Sequence, residues 1–457
     1  MKEFSIFKIF VCLAITYSFF PMDTLRMYAP SLVTRRLRNL NNWFLKLSQL
    51  MERHMIQDPE TYMTTPEIIK HRGYPVETHH VITDDGYILE LHRIPHGRRE
   101  TRNETFDPSL IQQRRAVFLQ HGMMGTDHFW MVGSINNSLS FILADLGYDV
   151  WMGNSRGNIY SRKHISLNPD EDKEFWEFSW DEMGRYDIPN SIDYVLNVTG
   201  QPTLGAYIGY SLGVSIFFIG AIEEPRLNDK VELMIGMGPT VSSAHLKNYF
   251  RYMARFEKFY QLYQRWFGIG EVHAKNSLLH TLVRLMGKSS EFGAQMARQW
   301  LSRVFGNTDD LTKVEFHRLI SHYPAGGSAN TMAHLFQNYI VGESFNYYDY
   351  GPVGNLKRYQ SKYSPEYNLT LVTAPVVLVH ADKDPFAPPE DVSWLKGQLG
   401  NLVDSIRVNC STFCHGDFIW SHRISELVYW PVIRLLPAPL SVTKTTDNMI
   451  CIPININ

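Results

Sequence analysis

The segment around Ser211 constrains the fold of this chain most strongly. It joins a short apolar strand, a Gly-x-Ser-x-Gly turn from Gly209 to Gly213, and the start of an apolar helix. Such a unit can present a serine hydroxyl on a sharp turn, where the two glycines let neighbouring backbone approach closely. The following helix N-terminus favours developing negative charge. We therefore interpret Ser211 as a nucleophile; the alternative is a chance Gly/Ser turn.

Strand and helix patterns alternate on both sides of this unit. A hairpin is predicted from His79 to Ile94, with the turn at Asp84-Asp85-Gly86. The alternation predicts an α/β fold with a mostly parallel sheet flanked by helices. The further predicted strands are 116–120, 148–152, 204–210, 231–237, 375–380 and 405–408, and the predicted helices are near 138–146, 183–196, 389–399 and 421–436.

Residues 240–360 have a different pattern, in which helical signals dominate. An aromatic stripe at helical spacing runs through the first part of this segment. We expect these rings to fill the core of a helical cap, because such stripes usually face a core; the alternative is a lid helix that lines an acyl-chain pocket. The stripe consists of Tyr249, Tyr252, Phe256, Phe259, Tyr263 and Trp266.

The chain has 457 residues, of which 44% are hydrophobic, and a formal net charge of −2. This composition allows a large core and does not indicate a nucleic-acid partner. The predicted organisation is a signal peptide at 1–20, a basic amphipathic segment at 21–60, an α/β core at 61–239 and 361–436, a helical cap at 240–360, and a tail at 437–457.

The two N-terminal segments each allow more than one interpretation. A lysine-bearing start followed by a short apolar stretch is typical of a secretory signal, and an uncleaved signal anchor is the alternative. Residues 31–57 have a helical apolar period with several arginines, so the segment could pack on the main body, lie on an anionic membrane surface or serve as a pro-segment.

Sequons for N-glycosylation occur five times, and in a secreted chain they could carry surface glycans. The cysteines give no disulfide scaffold; Cys410 and Cys414 could form a local bridge or remain buried free thiols. The candidate glycosylation sites are Asn103, Asn136, Asn197, Asn368 and Asn409.

A serine nucleophile requires a base and an acid, and in one class of hydrolases these follow the serine in the order acid, then histidine. Asp384 and its rival Asp382 both follow the strand at 375–380, and either could instead serve turn chemistry before proline. His415 lies between the last predicted strand and the last predicted helix, where this arrangement requires the base.

Backbone amides are the candidate donors for the oxyanion. One is the amide of Leu212, and the other is the amide of Met123 in the glycine-containing loop after the strand at 116–120. His121 in that loop is interpreted as structural. No metal-ligand spacing and no dinucleotide fingerprint is found in the sequence, so we expect no cofactor and no metal.

From about Thr65 to Leu436 the chain resembles the acid lipase family, the gastric and lysosomal acid lipases of the α/β-hydrolase fold. The elbow differs, since the family usually has Gly-His-Ser-Gln-Gly and this chain has Gly-Tyr-Ser-Leu-Gly. The blocks that carry the resemblance include Gly73-Tyr-Pro, Gln120-His-Gly-Met, the run Gly147 to Asn158, Phe178-Ser-Trp-Asp-Glu-Met, Ser321-His-Tyr-Pro-Ala-Gly326 and Asp417-Phe-Ile-Trp420.

The resemblance implies roles for individual residues. By the family's pattern Ser211 is the nucleophile, Asp384 rather than Asp382 the acid and His415 the base, and Met123 and Leu212 match the oxyanion positions. It also implies a cap domain inserted before the catalytic Asp.

For function, the resemblance implies a secreted or lysosomal serine lipase that hydrolyses triacylglycerols or steryl esters through an acyl-enzyme. Its partner would be a neutral lipid at a lipid–water interface, with membrane-surface contact as a further option. The alternatives are a non-catalytic lipid-binding protein on a lipase scaffold and an esterase for small soluble esters.

Overall fold

The computed structural model describes residues 58–98, 114–257, 270–272, 291–307 and 309–439. Several predictions fall outside these ranges: the signal peptide at 1–20, the amphipathic helix at 31–57, the sequon at Asn103, and the tail beyond residue 439. Within the described ranges, no helix has both the length and the apolar character that crossing a bilayer requires.

The strands of the described part are β1 (Glu77–Ile82), β2 (Ile88–Ile94), β3 (Ala116–Gln120), β4 (Asp149–Gly153), β5 (Ala206–Tyr210), β6 (Met234–Met237), β7 (Glu271–Val272), β8 (Gly327–Ser328), β9 (Val376–His380) and β10 (Leu402–Arg407). All of them except β7 and β8 form one eight-stranded sheet at the centre, in the order β1-β2-β4-β3-β5-β6-β9-β10. The pairs β1–β2 and β2–β4 are antiparallel, and the other neighbouring pairs of this sheet are parallel. The mostly parallel α/β sheet and the hairpin predicted from the sequence are thereby confirmed.

Helices connect the parallel strands and cover the sheet. Apart from the single turn Trp180–Glu182, they are α1 (Thr65–His71), α2 (Leu139–Asp145), α3 (Ile188–Thr199), α4 (Leu212–Glu223), α5 (Phe250–Met253), α6 (Glu291–Phe305), α7 (Lys313–His322), α8 (Ala329–Val341), α9 (Gly351–Tyr359), α10 (Pro389–Gln398), α11 (Asp417–Trp420) and α12 (Trp430–Ile433).

The core lies around the central strands. Every residue of β3, β4, β5, β6 and β9 is buried, as expected for parallel strands covered on both faces. Helix α4 is buried over its first ten residues and is apolar on all sides, which is typical of a helix inside a large core. Because these strands run in the same direction, the loops after β3, β5 and β9 emerge at one edge of the sheet.

The C-terminal helix differs from its prediction. A single helix was expected over 421–436, but the structure has α11, an extended Ser421, a π-helical turn Ser425–Tyr429 and then α12. Pro431 lies in the first turn of α12 and has no N–H to donate to the preceding turn. The regular i to i−4 ladder is therefore interrupted at this point.

The segment between β6 and β9 is largely helical where it is described, with one two-residue strand pair, β7 and β8. The expectation that the aromatic stripe fills a core is wrong for its first three members, Tyr249, Tyr252 and Phe256, which are exposed. The inward positions are Ala254, which is fully buried, and Phe250, whose ring contacts Phe386 at 5.7 Å. The stripe's other members, Phe259, Tyr263 and Trp266, lie outside the described residues.

Candidate active site

Ser211 occupies a strained turn between β5 and α4. Its backbone has φ 55° and ψ −118°, a conformation that costs energy for a residue with a side chain. The surrounding glycines are needed for close approach: a β-carbon on Gly209 would lie 2.7 Å from the carbonyl oxygen of Gly213. The turn presents the hydroxyl at the edge of the sheet, where Ser211 as a whole residue is 7% exposed.

His415 and Asp384 complete a hydrogen-bonded chain with this serine. The hydroxyl of Ser211 lies 2.9 Å from Nε2 of His415, and Nδ1 of His415 lies 2.8 Å from Oδ2 of Asp384. The three residues come from the ends of β5 and β9 and from the loop after β10, and all three are buried. An imidazole between a hydroxyl and a carboxylate can accept the hydroxyl proton while the carboxylate stabilises the resulting cation.

The two candidate acids have different environments. Oδ1 of Asp384 accepts hydrogen bonds from the backbone amides of Phe386 and Ala387, at 2.8 and 2.9 Å, which leaves Oδ2 directed at the imidazole. Asp382 instead forms a solvent-exposed ion pair with Arg407, and this pair lowers the pKa of Asp382. The structure therefore brings Asp384, and not Asp382, to His415.

The predicted oxyanion residues flank the serine. Leu212 is the first residue of α4, so its amide has no partner inside the helix. The loop after β3 lies against the serine, since a β-carbon on Gly122 would be 3.0 Å from the Ser211 β-carbon. Met123 follows Gly122 in that loop and is half-buried.

His121 is hydrogen-bonded within the protein rather than directed at the serine. Its Nδ1 donates to the carbonyl oxygen of Gly122 at 2.7 Å, and its Nε2 accepts from the backbone amide of Ser155 at 3.1 Å and from Asn158 at 3.3 Å. Burial lowers its pKa to about 4. These contacts are consistent with a structural role, in which a neutral imidazole joins the loop after β3 to the loop after β4.

Sequence reasoning missed several neighbours of the site. The hydroxyl of Thr240 lies 3.3 Å from that of Ser211, and the rings of Phe386 and Phe305 lie 4.5 and 6.2 Å from the imidazole of His415. None of these residues belongs to a motif with its own chemistry. They approach the serine only because the segments after β6, β9 and β10 meet at one edge, so no local pattern could have identified them.

The remaining candidate residues are the asparagines of the described sequons and two cysteines. The asparagines at 136, 197, 368 and 409 are exposed, and Cys410 and Cys414 are free thiols, of which Cys414 is buried. In the parts of the chain that the structure describes, no three His, Cys, Asp or Glu side chains are grouped closely enough to hold a metal ion.

Comparison with known proteins agrees with this architecture. A family model described as "alpha/beta hydrolase fold" matches residues 115–421, and one described as "Partial alpha/beta-hydrolase lipase region" matches residues 65–134. The gastric triacylglycerol lipase of Bos taurus is 35% identical over 83% of this chain and 92% of its own length. Lipase lipl-1 of Caenorhabditis elegans is 35% identical over 83% and 92%, and Lipase 1 of Drosophila melanogaster is 34% identical over 84% and 82%.

The fold and the site thus define a hydrolase with a serine at a strand-to-helix turn. The chain belongs to the α/β-hydrolase fold family, and within it to the lipase family that includes gastric triacylglycerol lipase. The resemblance and the fold class predicted from the sequence are confirmed.

Proposed function

We propose that this protein is a serine lipase that hydrolyses carboxylic esters of neutral lipids, triacylglycerols or steryl esters, through an acyl-enzyme intermediate. The observation that carries the proposal is the hydrogen-bonded chain from Ser211 through His415 to Asp384. Membership of a family that contains triacylglycerol lipases supports the substrate class.

In the proposed mechanism, the hydroxyl of Ser211 attacks the ester carbonyl carbon while Nε2 of His415 takes its proton. Asp384 stabilises the imidazolium, and the amides of Met123 and Leu212 donate to the carbonyl oxygen as it becomes negative. The imidazolium then protonates the departing alcohol. Water, deprotonated by His415, attacks the acyl-serine and releases the fatty acid and the free enzyme.

We further propose that residues 240–360 form a cap over the site. Two contacts of this segment support the idea. The amide of Gly416 donates to the carbonyl oxygen of Phe305, at the end of α6, at 3.2 Å, and the amide of Ala325 donates to the carbonyl oxygen of Met124 at 2.8 Å. The rings of Phe305 and Phe386 beside His415 suit an acyl chain better than a small polar ester.

The proposed location is the secretory pathway, with delivery outside the cell or to the lysosome. The lysine-bearing, apolar start of the sequence and the exposed sequons support this proposal. Contact with a lipid surface during turnover belongs to the same proposal.

A hydrolysis panel across pH tests the function directly. Purified protein is given emulsified long-chain triacylglycerol, a steryl ester and a short soluble ester, and a fluorophosphonate probe measures the reactive serine. Ser211→Ala should lose activity by roughly 10⁴-fold or more and lose labelling, because the nucleophile is gone. Ser191→Ala, which changes a buried serine of α3, is the matched control and should retain both.

The alternatives predict other outcomes. A lipid-binding protein without turnover would bind lipid but show neither hydrolysis nor labelling of Ser211. An esterase for small substrates would cleave the soluble ester and leave the emulsified lipids intact. Retained activity in the Ser211→Ala protein would contradict the assignment of the nucleophile.

A further inference from the structure

Tyr210 immediately precedes the elbow serine and ends β5. It is one of the two elbow positions at which this chain departs from the pattern usual in its family. Its side chain is buried, and its hydroxyl donates a hydrogen bond of 3.0 Å to the backbone carbonyl oxygen of His415. The bond joins residues that are 205 positions apart in the chain.

The ring of Tyr210 is held between the loops that form the site. Its centroid lies 5.0 Å from that of the His415 imidazole and 6.4 Å from that of Phe418. A β-carbon on Gly122 would lie 3.0 Å from the Cδ1 atom of Tyr210. The ring therefore contacts the loop after β3 as well as the loop after β10, and both loops carry proposed functional groups.

The His415 carbonyl has one other described partner, the amide of Phe418 at 3.4 Å, which is a long bond. The tyrosine hydroxyl is thus its shorter contact. Burial raises the pKa of Tyr210 well above its ordinary value, with Asp384 contributing, so the hydroxyl keeps its proton and remains a donor at neutral and acidic pH.

We propose that Tyr210 is a positioning residue for the base: its hydroxyl ties the backbone of His415 to the strand that ends in Ser211 and so fixes the imidazole relative to the serine hydroxyl. This inference rests on the proposed function. Tyr210 and Ser211 are adjacent in the chain, so this hydrogen bond holds the backbone of the base close to the backbone of the nucleophile. It thereby helps to set the distance between Oγ of Ser211 and Nε2 of His415. Small displacements of such a pair reduce the rate strongly.

Tyr210→Phe tests the tether, because it removes one oxygen atom and leaves the ring. The matched control is Tyr148→Phe. The Tyr148 hydroxyl, also on a buried side chain, donates to the backbone carbonyl of Pro437 at 2.9 Å, and neither residue belongs to the proposed site. Active sites are counted by titration with a fluorophosphonate, so that kcat refers to folded, reactive enzyme only.

The expected result is a kcat per titrated site about three- to tenfold lower in Tyr210→Phe, with KM unchanged. The second-order rate of fluorophosphonate labelling should fall by the same factor, because that reaction needs the serine and histidine but not the lipid pocket. Tyr148→Phe should keep both rates even if its thermal stability falls to a similar extent.

The proposed positioning role would be contradicted if Tyr210→Phe kept both rates within twofold of wild type. It would also be contradicted if Tyr210→Phe and Tyr148→Phe lost the same share of both rates. The same protein series separates this failure from failure of the proposed function. If Ser211 is not the nucleophile, then Ser211→Ala retains activity and labelling; if only the tether is wrong, then Ser211→Ala is inactive while Tyr210→Phe is normal.

Discussion

Oδ2 of Asp384 lies 2.8 Å from Nδ1 of His415, although Asp382, only two residues earlier, points to the surface. The backbone reverses direction between them, since the amide of Asp384 donates to the carbonyl of Ala381. Two aspartates that looked nearly equivalent in the sequence therefore provide a matched pair for mutation.

Asp384→Asn should lower kcat by about 10⁴-fold, because the amide no longer fixes the tautomer or stabilises the imidazolium. Asp382→Asn breaks an exposed ion pair and should leave kcat within twofold, as surface pairs contribute little. The measurement is kcat for a soluble ester after checking that both variants unfold at the wild-type temperature. The reverse order of effects would move the acid to Asp382.

Gly213→Ala should displace the loop that carries the proposed oxyanion donor. A β-carbon at this position would lie 2.6 Å from the carbonyl oxygen of Gln120 and 3.0 Å from that of His121. Backbone on the loop after β3 would have to move, and loss of one donor typically lowers kcat by about 10²–10³-fold. The assay is steady-state kinetics per titrated site.

Gly397→Ala is the control for this glycine. It also lies in a helix, α10, and a β-carbon there would meet nothing within 4 Å. Because alanine favours helix, we expect stability unchanged or raised by up to about 1 kcal/mol and kcat unchanged. Equal activity of the two alanine variants would argue against Gly213 positioning the loop.

Sequence patterns predicted the features of this protein that depend on residues close together in the chain. The Gly-x-Ser-x-Gly turn needs a strand before it and a helix after it, and β5 and α4 are present there. Parallel strands place their C-terminal ends at one edge, so the meeting of Ser211 with His415 could be anticipated from the sequence alone. The choice of Asp384 over Asp382 depended on the family resemblance.

Other features depend on contacts between distant segments and gave no local signal. The Tyr210 tether requires the loop after β10 to lie over β5, and the approach of Thr240 to the serine depends on the turn after β6. The aromatic stripe was misjudged because its spacing identifies one face of a helix but does not specify what that face contacts.

His121 should make the stability of the fold depend on pH. The unfolded chain protonates this imidazole below a pH of about 6.5, whereas burial lowers its pKa to about 4 in the folded protein. Unfolding therefore takes up a proton between these values, and the contribution to stability, complete above about pH 6.5, is lost as the pH falls towards 4. Each unit of difference between the two pKa values corresponds to about 1.4 kcal/mol, so the free energy of unfolding falls by an amount on the order of 3 kcal/mol over this pH range.

Replacing this histidine by glutamine tests the prediction. His121→Gln should destabilise the protein at pH 7, and the difference from wild type should shrink by about 2–3 kcal/mol at pH 4.5, where the wild type has lost its own contribution. The measurement is urea unfolding at four pH values, with the exposed His71→Gln as the control. A difference that is constant across pH would contradict the assignment.

Arg156→Met should destabilise the fold by about 3–5 kcal/mol. The buried guanidinium of Arg156 binds both oxygens of Asp85, at 2.6 and 2.9 Å, and its Nε donates to Asp187 at 2.7 Å. Methionine fills the space but leaves the carboxylates of Asp85 and Asp187 without a cationic partner. Arg226→Met, which breaks an exposed pair with Glu224, should leave the denaturation midpoint within error.

The exposed sequons should carry glycans when the full chain is made in a eukaryotic secretory cell. The asparagines at 136, 197, 368 and 409 are exposed. At one of these sequons, the hydroxyl of Thr370 donates a hydrogen bond of 2.7 Å to the side-chain oxygen of Asn368. Enzymatic deglycosylation converts each modified asparagine to aspartate, which peptide mass analysis detects at the individual site. Protein recovered from the medium should contain these conversions, and substitution of all four by glutamine should remove them. Unmodified protein retained in the cytosol would contradict both the predicted signal and the secretory location, because sequons are modified only after entry into that pathway.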